Sequence, residues 1–77
     1  MKNVKVYSTP SCPYCIKAKK FLDDNKISYE NKDVAADQSA AKEMTEKSGQ
    51  MGVPVIDIEG EIIVGFDRDA IVKALEI

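Results

Sequence analysis

The stretch "STPSCPYCIKAKKFL", residues 8–22, contains both cysteines of the chain, Cys12 and Cys15, with Pro13 and Tyr14 between them. A pair this closely spaced is a structural disulfide, part of a metal site or a redox centre. A disulfide across so short a span stabilises little, because the entropic gain from closing a loop shrinks as the loop shortens. A structural zinc site within one chain needs more ligands than two cysteines and no histidine supply. The pattern therefore favours a redox centre.

Composition and charge exclude several classes of function. The 77 residues carry 13 acidic and 11 basic side chains, a formal net charge of −2, which gives no general attraction to nucleic acid or to an anionic membrane. The opening "MKNVKVYS" has too short an apolar run for a signal peptide, and no run approaches the roughly 18 apolar residues of a membrane span. We therefore expect a cytoplasmic protein, a single domain over residues 1–77, with neither nucleic acid nor membrane as partner. Disulfides in that compartment are usually transient and catalytic.

The hydrophobic pattern predicts strands and helices in the order βαβαββα. The runs that predict strands are "NVKVYS", "ISYENKDV", "VPVIDI" and "EIIVGF", the last two joined as a hairpin through Glu59 and Gly60. The predicted helices run from Pro13 to a stop at Asn25, from a cap at Asp37 to Gly49, and from a start near Asp67. This order predicts an α/β fold with a small mixed sheet flanked by helices, its first βαβ unit parallel and right-handed.

The start of the first predicted helix gives the two thiols different chemistry. If Pro13 is the first helical residue, Cys12 is the N-cap, where free N–H groups and the positive end of the helix dipole stabilise a thiolate. In such CxxC pairs the pKa of the first thiol falls from about 8.5 into a range of roughly 3.5 to 7.5. Cys15 lies one turn further into the helix, without the same access to the N–H groups at the helix end. Cys12 would then attack a substrate disulfide, and Cys15 would resolve the mixed disulfide and release the reduced substrate.

The run "GVPV", residues 52–55, is a second candidate part of the site. A cis bond between Val53 and Pro54 would turn the backbone groups of Val53 toward Cys12, where an extended thiol peptide could pair with them. The alternative is that Pro54 simply begins an edge strand.

The run "VGFDRD", residues 64–69, is the third part. Gly65 permits a sharp turn, and the N–H groups of Phe66, Asp67 and Arg68 open the last helix, which makes an anion site suited to a carboxylate. The alternative is an ordinary Asp67 cap.

In that order "CPYC", "GVP" and "GFD" resemble the glutaredoxin family, and the resemblance extends over nearly the whole chain. It implies a thioredoxin-like fold and a glutathione-linked thiol–disulfide oxidoreductase that reduces protein disulfides or glutathione mixed disulfides. It also implies glutathione as an electron-donating co-substrate, with no permanently bound cofactor and no metal. We expect a monomer.

The resemblance also implies a role for individual residues. Cys12 is the nucleophile and Cys15 the resolving thiol, while Pro54 is the cis residue and Val53 pairs its backbone with the cysteine of glutathione. The other implied contacts with glutathione or substrate are Thr9, Pro13, Tyr14, Gln50, Gly65, Asp67 and Arg68. Of these, Tyr14 forms a wall of the groove, and the amides of Asp67 and Arg68 hold the γ-glutamyl carboxylate.

Two regions depart from the family pattern. Thr9 stands where many glutaredoxins carry Lys or Arg, and Gln50, Met51 and Gly52 stand where many have a basic stretch followed by Thr. Gln50 is the remaining polar candidate there. Losing a charged hydrogen bond costs about 1.5 to 3 kcal/mol, so the affinity for glutathione is expected to fall. Some glutaredoxin-like proteins draw electrons from thioredoxin reductase instead, and the resemblance makes this reductase the alternative donor, docking on Met51 and Phe66. The alternative for these two side chains is core packing or a lone exposed apolar residue.

A function from a different class is a dimeric iron–sulfur cluster carrier, in which Cys12 of two chains and two glutathiones hold the cluster. The Pro13-Tyr14 spacer argues against it. The remaining charges are expected on solvated helix faces: Lys17, Lys19, Lys20, Lys42, Glu43, Glu46 and Lys47. Tyr7 and Tyr29 are expected to be half-buried strand residues.

Overall fold

A computed structural model describes residues 3–77 and has the predicted order βαβαββα. Met1 and Lys2, which begin both the predicted domain and the segment assessed for a signal peptide, lie outside the described residues. The elements are β1 (Val4–Ser8), α1 (Pro13–Asp24), β2 (Glu30–Asp33), α2 (Gln38–Ser48), β3 (Val55–Ile58), β4 (Glu61–Val64) and α3 (Arg68–Leu75). Within residues 3–77, no helix has the length and apolar character that a membrane crossing requires.

The four strands form one mixed sheet in the order β2-β1-β3-β4. β1 runs parallel to β2 and antiparallel to β3, and β3 and β4 form the predicted antiparallel hairpin. Glu59 and Gly60 connect the hairpin with positive φ angles of 51° and 90°, which is the backbone that a tight hairpin turn needs. The parallel β1-α1-β2 unit places the start of α1 just beyond the carboxyl end of β1.

Alternation along β1 and β3 divides the core between the two faces of the sheet. Val4 and Val6 pair with Ile58 and Ile56, and these side chains pack with α1 and α3 in the larger core. Tyr7 pairs with Val55 and packs with Met44 of α2 on the opposite face. The apolar stripes of the helices supply the rest: Ala18 and Leu22 from α1, and Ile71 and Ala74 from α3, are buried. Burial of apolar side chains on both faces therefore holds the end of β1 and the start of α1 in place.

The strands are shorter than the sequence predicts. β2 begins at Glu30, so Ile27 and Tyr29 precede it, although both pack against the larger core and Tyr29 is half-buried as expected. β3 begins one residue after Pro54, which has no N–H to give to a strand ladder. β4 ends before Gly65, whose φ of 81° turns the chain toward α3.

The helix ends agree closely with the sequence prediction. Pro13 is the first residue of α1 and Asn25 follows its end. The Asp37 side chain accepts hydrogen bonds from Ser39 and Ala40, at 2.9 and 3.2 Å, and Gly49 closes α2 with a φ of 75°. Local capping chemistry thus fixes these boundaries.

A polar group under α2, which we call the Lys47 cluster, consists of Tyr7, Glu43, Lys47 and Asp57. The Lys47 ammonium lies 2.7 Å from Asp57 and 3.1 Å from Glu43, and the Tyr7 hydroxyl donates to Glu43 at 2.7 Å. Glu43 is only partly exposed, against the expectation of a solvated face, whereas Lys47 is exposed as expected although its ammonium pairs with Asp57 and Glu43. Tyr7 is fully buried instead of half-buried. The prediction is confirmed for Lys17, Lys20, Lys42 and Glu46, which are exposed.

Candidate redox site

Cys12 is the N-cap of α1, with an extended backbone at φ −86° and ψ 114°. Its sulfur accepts a hydrogen bond from the backbone N–H of Cys15 at 3.2 Å, so the thiol occupies the position of an ordinary capping oxygen. The Cys12 N–H in turn donates to the Thr9 carbonyl at 3.4 Å, which fixes the loop between β1 and α1. Cys12 is partly exposed, and both cysteines are free thiols.

Several donors converge on the Cys12 sulfur and lower its pKa. Desolvation is the largest influence and acts to raise the pKa of Cys12. Hydrogen bonds from the Cys15 thiol and from the backbone N–H groups of Cys15 and Tyr14 act the other way, together with the positive charge of Lys19, and they prevail. The surroundings of Cys12 therefore favour its thiolate, the form that attacks disulfides.

Cys15 has the opposite environment. Its side chain is completely buried. Burial, and next the hydrogen bond and charge of Cys12, raise the pKa of Cys15 to about 11, while the Thr9 backbone and Lys19 oppose the shift. Of the two thiols, Cys12 is therefore the more acidic, and Cys15 holds its proton more tightly.

Lys19 is a member of the site that the sequence reasoning placed on a solvated face. That expectation was wrong: Lys19 is half-buried, and its ammonium lies 3.5 Å from the hydroxyl of Ser8, the last residue of β1. Ser8 is buried and donates at 2.7 Å to the Asn31 side-chain carbonyl on β2. The available signal was the spacing, since Lys19 follows Cys15 by one helical turn and shares its face.

The Val53-Pro54 peptide bond is cis, as predicted. The Val53 carbonyl lies 3.9 Å from the Cys12 sulfur, and within residues 3–77 the Val53 N–H has no hydrogen-bond partner. Pro54 is buried, and its carbonyl accepts the Gly65 N–H at 2.7 Å. This bond joins the loop before β3 to the turn after β4.

Gln50 is held within its own loop. Its side-chain NH₂ donates to the Gly52 carbonyl at 3.0 Å and to the Ser48 hydroxyl at 3.3 Å, while its side-chain oxygen accepts the Gly52 N–H. A β-carbon on Gly52 would lie 2.6 Å from that oxygen, so any larger residue there would force the Gln50 side chain to shift. We call this arrangement the Gln50 clamp. These bonds engage both the NH₂ group and the oxygen of the Gln50 side chain, which the sequence had suggested as an anchor for glutathione.

The turn before α3 contains both features that the sequence left open. Asp67 is an ordinary N-cap whose carboxylate accepts the Ala70 N–H at 3.1 Å. Among the described residues, the backbone N–H groups of Phe66, Asp67 and Arg68 nevertheless have no hydrogen-bond partner. Such a set of donors at a helix start suits an anion.

Three apolar or aromatic side chains, on the segments that carry Cys12, Val53 and Gly65, differ in their exposure. Tyr14 is 60% exposed, with the Lys17 ammonium 5.3 Å from its ring centre, and Met51 is 78% exposed. Phe66 is only partly exposed and packs edge-on against Phe21 at 6.0 Å. The exposed apolar surface near Cys12 is therefore formed by Tyr14 and Met51 more than by Phe66.

A four-stranded mixed sheet with three helices, and a CxxC pair at the start of the first helix, define a redox protein of thioredoxin-like fold. The glutaredoxin family model matches residues 4–63. The chain belongs to the glutaredoxin family.

Individual relatives agree with this assignment. A glutaredoxin-like 8.6 kDa protein in a rubredoxin operon of Clostridium pasteurianum, described as uncharacterized, is 47% identical over 73 residues, which span 95% of this chain and 97% of the relative. Glutaredoxin 3 of Escherichia coli K12 is 34% identical over 67 residues, 87% of this chain and 81% of the relative. The crystal structure of a variant of the thioredoxin-like protein BC3987 superposes with a TM-score of 0.93 at 34% identity, covering 100% of this chain and 99% of that one.

Proposed function

We propose that this protein is a dithiol–disulfide oxidoreductase in which Cys12 is the nucleophile and Cys15 the resolving thiol. The observation that carries the proposal is the contrast between the two sulfurs. One caps α1, accepts the Cys15 N–H at 3.2 Å and is partly exposed, and the other is completely buried one turn further along. The substrates are protein disulfides and mixed disulfides of glutathione.

The reaction follows from this contrast. The Cys12 thiolate attacks one sulfur of the substrate disulfide, the S–S bond breaks, and the other sulfur leaves as a thiolate that takes up a proton. A mixed disulfide now joins Cys12 to the substrate. Cys15 loses its proton and attacks the Cys12 sulfur, which releases the second substrate sulfur as a thiol and leaves a Cys12–Cys15 disulfide. The substrate has gained two electrons and the protein has lost two.

An extended peptide on the substrate sulfur has a binding place beside Cys12. The Val53 N–H, which has no partner in the described part of the chain, and the Val53 carbonyl present one donor and one acceptor, the pair that an added strand needs. The N–H groups of Asp67 and Arg68, also without a partner among residues 3–77, suit a carboxylate. Glutathione carries both a cysteine backbone and carboxylates, which supports glutathione as the donor that returns Cys12–Cys15 to the dithiol form.

A second candidate donor is thioredoxin reductase. The observation in its favour is the Gln50 clamp, because the Gln50 amide is bonded within its own loop and is not available to bind glutathione. Thr9 carries no charge that could take its place. The exposed side chains of Tyr14 and Met51 provide an apolar surface on which a protein partner can dock.

The test measures reduction of a small glutathione mixed disulfide with two sources of electrons, glutathione with its reductase and thioredoxin reductase with NADPH. We expect turnover with glutathione. We also expect Cys15→Ser to keep that activity, which needs one thiol, and to lose reduction of a protein disulfide, which needs two. Turnover with thioredoxin reductase alone would favour the second donor, and loss of both activities in Cys15→Ser would contradict the glutathione route.

Purification without oxygen in the presence of glutathione separates the enzyme from the cluster carrier. The oxidoreductase should be colourless and monomeric. A brown dimer whose colour disappears in Cys12→Ser would overturn the proposal in favour of iron–sulfur cluster binding.

A further inference from the structure

Lys19 is placed where its charge acts on both thiols. It lies one helical turn after Cys15 on the same face of α1, and its ammonium is held 3.5 Å from the Ser8 hydroxyl. Ser8 is itself fixed at 2.7 Å by Asn31, so the contact joins α1 to two strands of the sheet. Half-burial of Lys19 reduces solvent screening, which strengthens its interaction with a nearby negative sulfur.

We propose that Lys19 is a positioning residue for the resolving step: its ammonium, held by Ser8 against the end of β1, promotes ionisation of Cys15 after Cys12 has entered a mixed disulfide. The inference rests on the proposed function, because it assumes that Cys15 attacks the Cys12 sulfur. It assigns to Lys19 a role that acts through Cys15, without contact with the substrate.

Lys19 promotes the ionisation of Cys15 at this step because the charge around Cys15 changes during the reaction. In the free dithiol, the Cys12 thiolate and its hydrogen bond raise the pKa of Cys15, after burial itself. In the mixed disulfide the Cys12 sulfur is neutral, so this repulsion is gone. The Lys19 charge and the Thr9 N–H, both of which lower the pKa of Cys15, then act without opposition from Cys12. Cys15 becomes more acidic at the step in which it must be a nucleophile.

Among residues 3–77, Lys19 forms no ion pair with a carboxylate of a neighbouring element. β1 contributes the uncharged Ser8, and Asn31 behind it on β2 is also uncharged. Asp33, at the end of β2, is turned toward the Ala35 N–H at 2.9 Å. On β3, Asp57 points to the other face of the sheet, where Lys47 neutralises it at 2.7 Å.

The chemical step balances within the pair and the substrate. Cys15 gives up a proton and its sulfur forms a bond to the Cys12 sulfur, while the bond from Cys12 to the substrate sulfur breaks. The leaving thiolate takes up a proton from solvent. No oxidant is needed beyond the substrate disulfide itself.

The experiment follows the two steps separately with 4,4′-dithiodipyridine, an uncharged disulfide, in a stopped-flow instrument. Attack by Cys12 releases one pyridinethione, and attack by Cys15 on the mixed disulfide releases a second. In Lys19→Met we expect the pH midpoint of the second phase to rise by about one unit. The thiolate fraction then falls about tenfold but each thiolate is about threefold more nucleophilic, so the second phase at pH 7 should slow by about threefold.

Two variants provide the controls. Lys19→Arg retains the charge and should restore the native midpoint of the second phase. Lys20→Met removes the same charge from an exposed position of α1, where Lys20 pairs with Asp24, and should leave both phases unchanged. Circular dichroism of each variant checks that α1 is intact.

The outcomes separate the inference from the proposed function. A second phase in Lys19→Met with the native midpoint would overturn the role of Lys19 while leaving the two-thiol mechanism in place. A native protein that releases a single equivalent of pyridinethione would contradict the proposed function itself.

Discussion

Two polar regions on opposite faces of the sheet differ in how completely their groups are satisfied. In the Lys47 cluster, Lys47 reaches Asp57, Glu43 and the Tyr7 hydroxyl, and the second oxygen of Asp57 accepts the Gly60 N–H at 2.8 Å. In the region of Cys12, the loop before β3 and the start of α3, the N–H groups of Val53, Asp67 and Arg68 have no partner within residues 3–77. A satisfied network contributes to stability, whereas unpaired donors at the surface are available to a ligand.

Adjacent residues of β1 supply the two regions. Tyr7 points toward α2 and joins the Lys47 cluster, while Ser8 contacts Lys19 of α1. Successive side chains of a strand point to opposite faces, so one strand separates a stabilising network from a reactive one. Changes to one region should therefore leave the other largely intact, and the following predictions test that independence.

The largest expected effect is on activity. Cys12→Ser should reduce disulfide reduction by more than about 10³-fold with either donor, because a hydroxyl is not ionised at neutral pH and forms no mixed disulfide. Its free energy of unfolding should change by less than about 0.5 kcal/mol, since serine is a preferred N-cap and can accept the Cys15 N–H. Enzyme assays and urea unfolding on one preparation measure both. Residual activity near the native level would exclude Cys12 as the nucleophile.

The next effect is on stability. Lys47→Met leaves the buried Asp57 carboxylate without its cation, which should cost about 1 to 3 kcal/mol. Because a domain of this size loses roughly 4 to 8 °C in Tm per kcal/mol, thermal unfolding followed by circular dichroism should show the loss clearly. The rate at which iodoacetamide alkylates Cys12 should stay native. Lys42→Met, an exposed position of α2, is the matched control, and an equal loss of stability there would disprove the special role of Lys47.

The part of the fold that local chemistry determines could be predicted from the sequence. Pro13, Asp37 and Gly49 set helix ends through their own side chains or φ angles, and the structure has these ends where the sequence placed them. The hairpin turn at Glu59 and Gly60 was likewise predicted from the residues within it. The cis Val53-Pro54 bond, by contrast, was implied by the resemblance to the glutaredoxin family and not by local chemistry alone.

Contacts between distant segments could not be predicted in this way. Lys47 and Asp57, on α2 and β3, meet across the sheet, and nothing in the amphipathic pattern of α2 distinguishes Lys47 from the exposed Lys42. The helical spacing placed Lys19 on the face of Cys15, but its contact with Ser8 could not be predicted, since Ser8 lies on another element. The Gln50 clamp is local, but it depends on a loop conformation that no periodicity encodes.

A smaller effect is expected at the Gln50 clamp. Gln50→Ala removes the hydrogen bonds that hold Gly52 and, through it, the backbone that leads to Val53. The binding of a glutathione mixed disulfide should therefore weaken by about 0.5 to 1.5 kcal/mol. This should be seen as a threefold to tenfold rise in KM for a glutathione mixed disulfide with kcat unchanged.

A double-mutant cycle tests that interpretation. Gly52→Ala should raise KM alone, because the added β-carbon lies 2.6 Å from the Gln50 oxygen, but should add little once Gln50 is alanine. Additive effects of the two substitutions would show that Gln50 acts independently of the clamp.

The smallest effect should appear as a pH dependence of stability. The hydrogen bond from Tyr7, followed by that from Lys47, holds the pKa of Glu43 below its ordinary value. A lowered folded-state pKa stabilises the fold above the unfolded pKa of about 4.3, and this contribution disappears as the pH falls through the folded value. Glu43→Gln should therefore be less stable than the native protein at pH 7. The loss should be less than about 1 kcal/mol, because the pair of Glu43 and Lys47 is partly exposed, and it should disappear on acidification.

Urea unfolding midpoints at neutral and acidic pH measure this difference. Glu46→Gln, on the exposed face of α2, is the control and should match the native protein at pH 7. A difference that stays constant with pH would mean that the Glu43 contacts act through packing and not through charge.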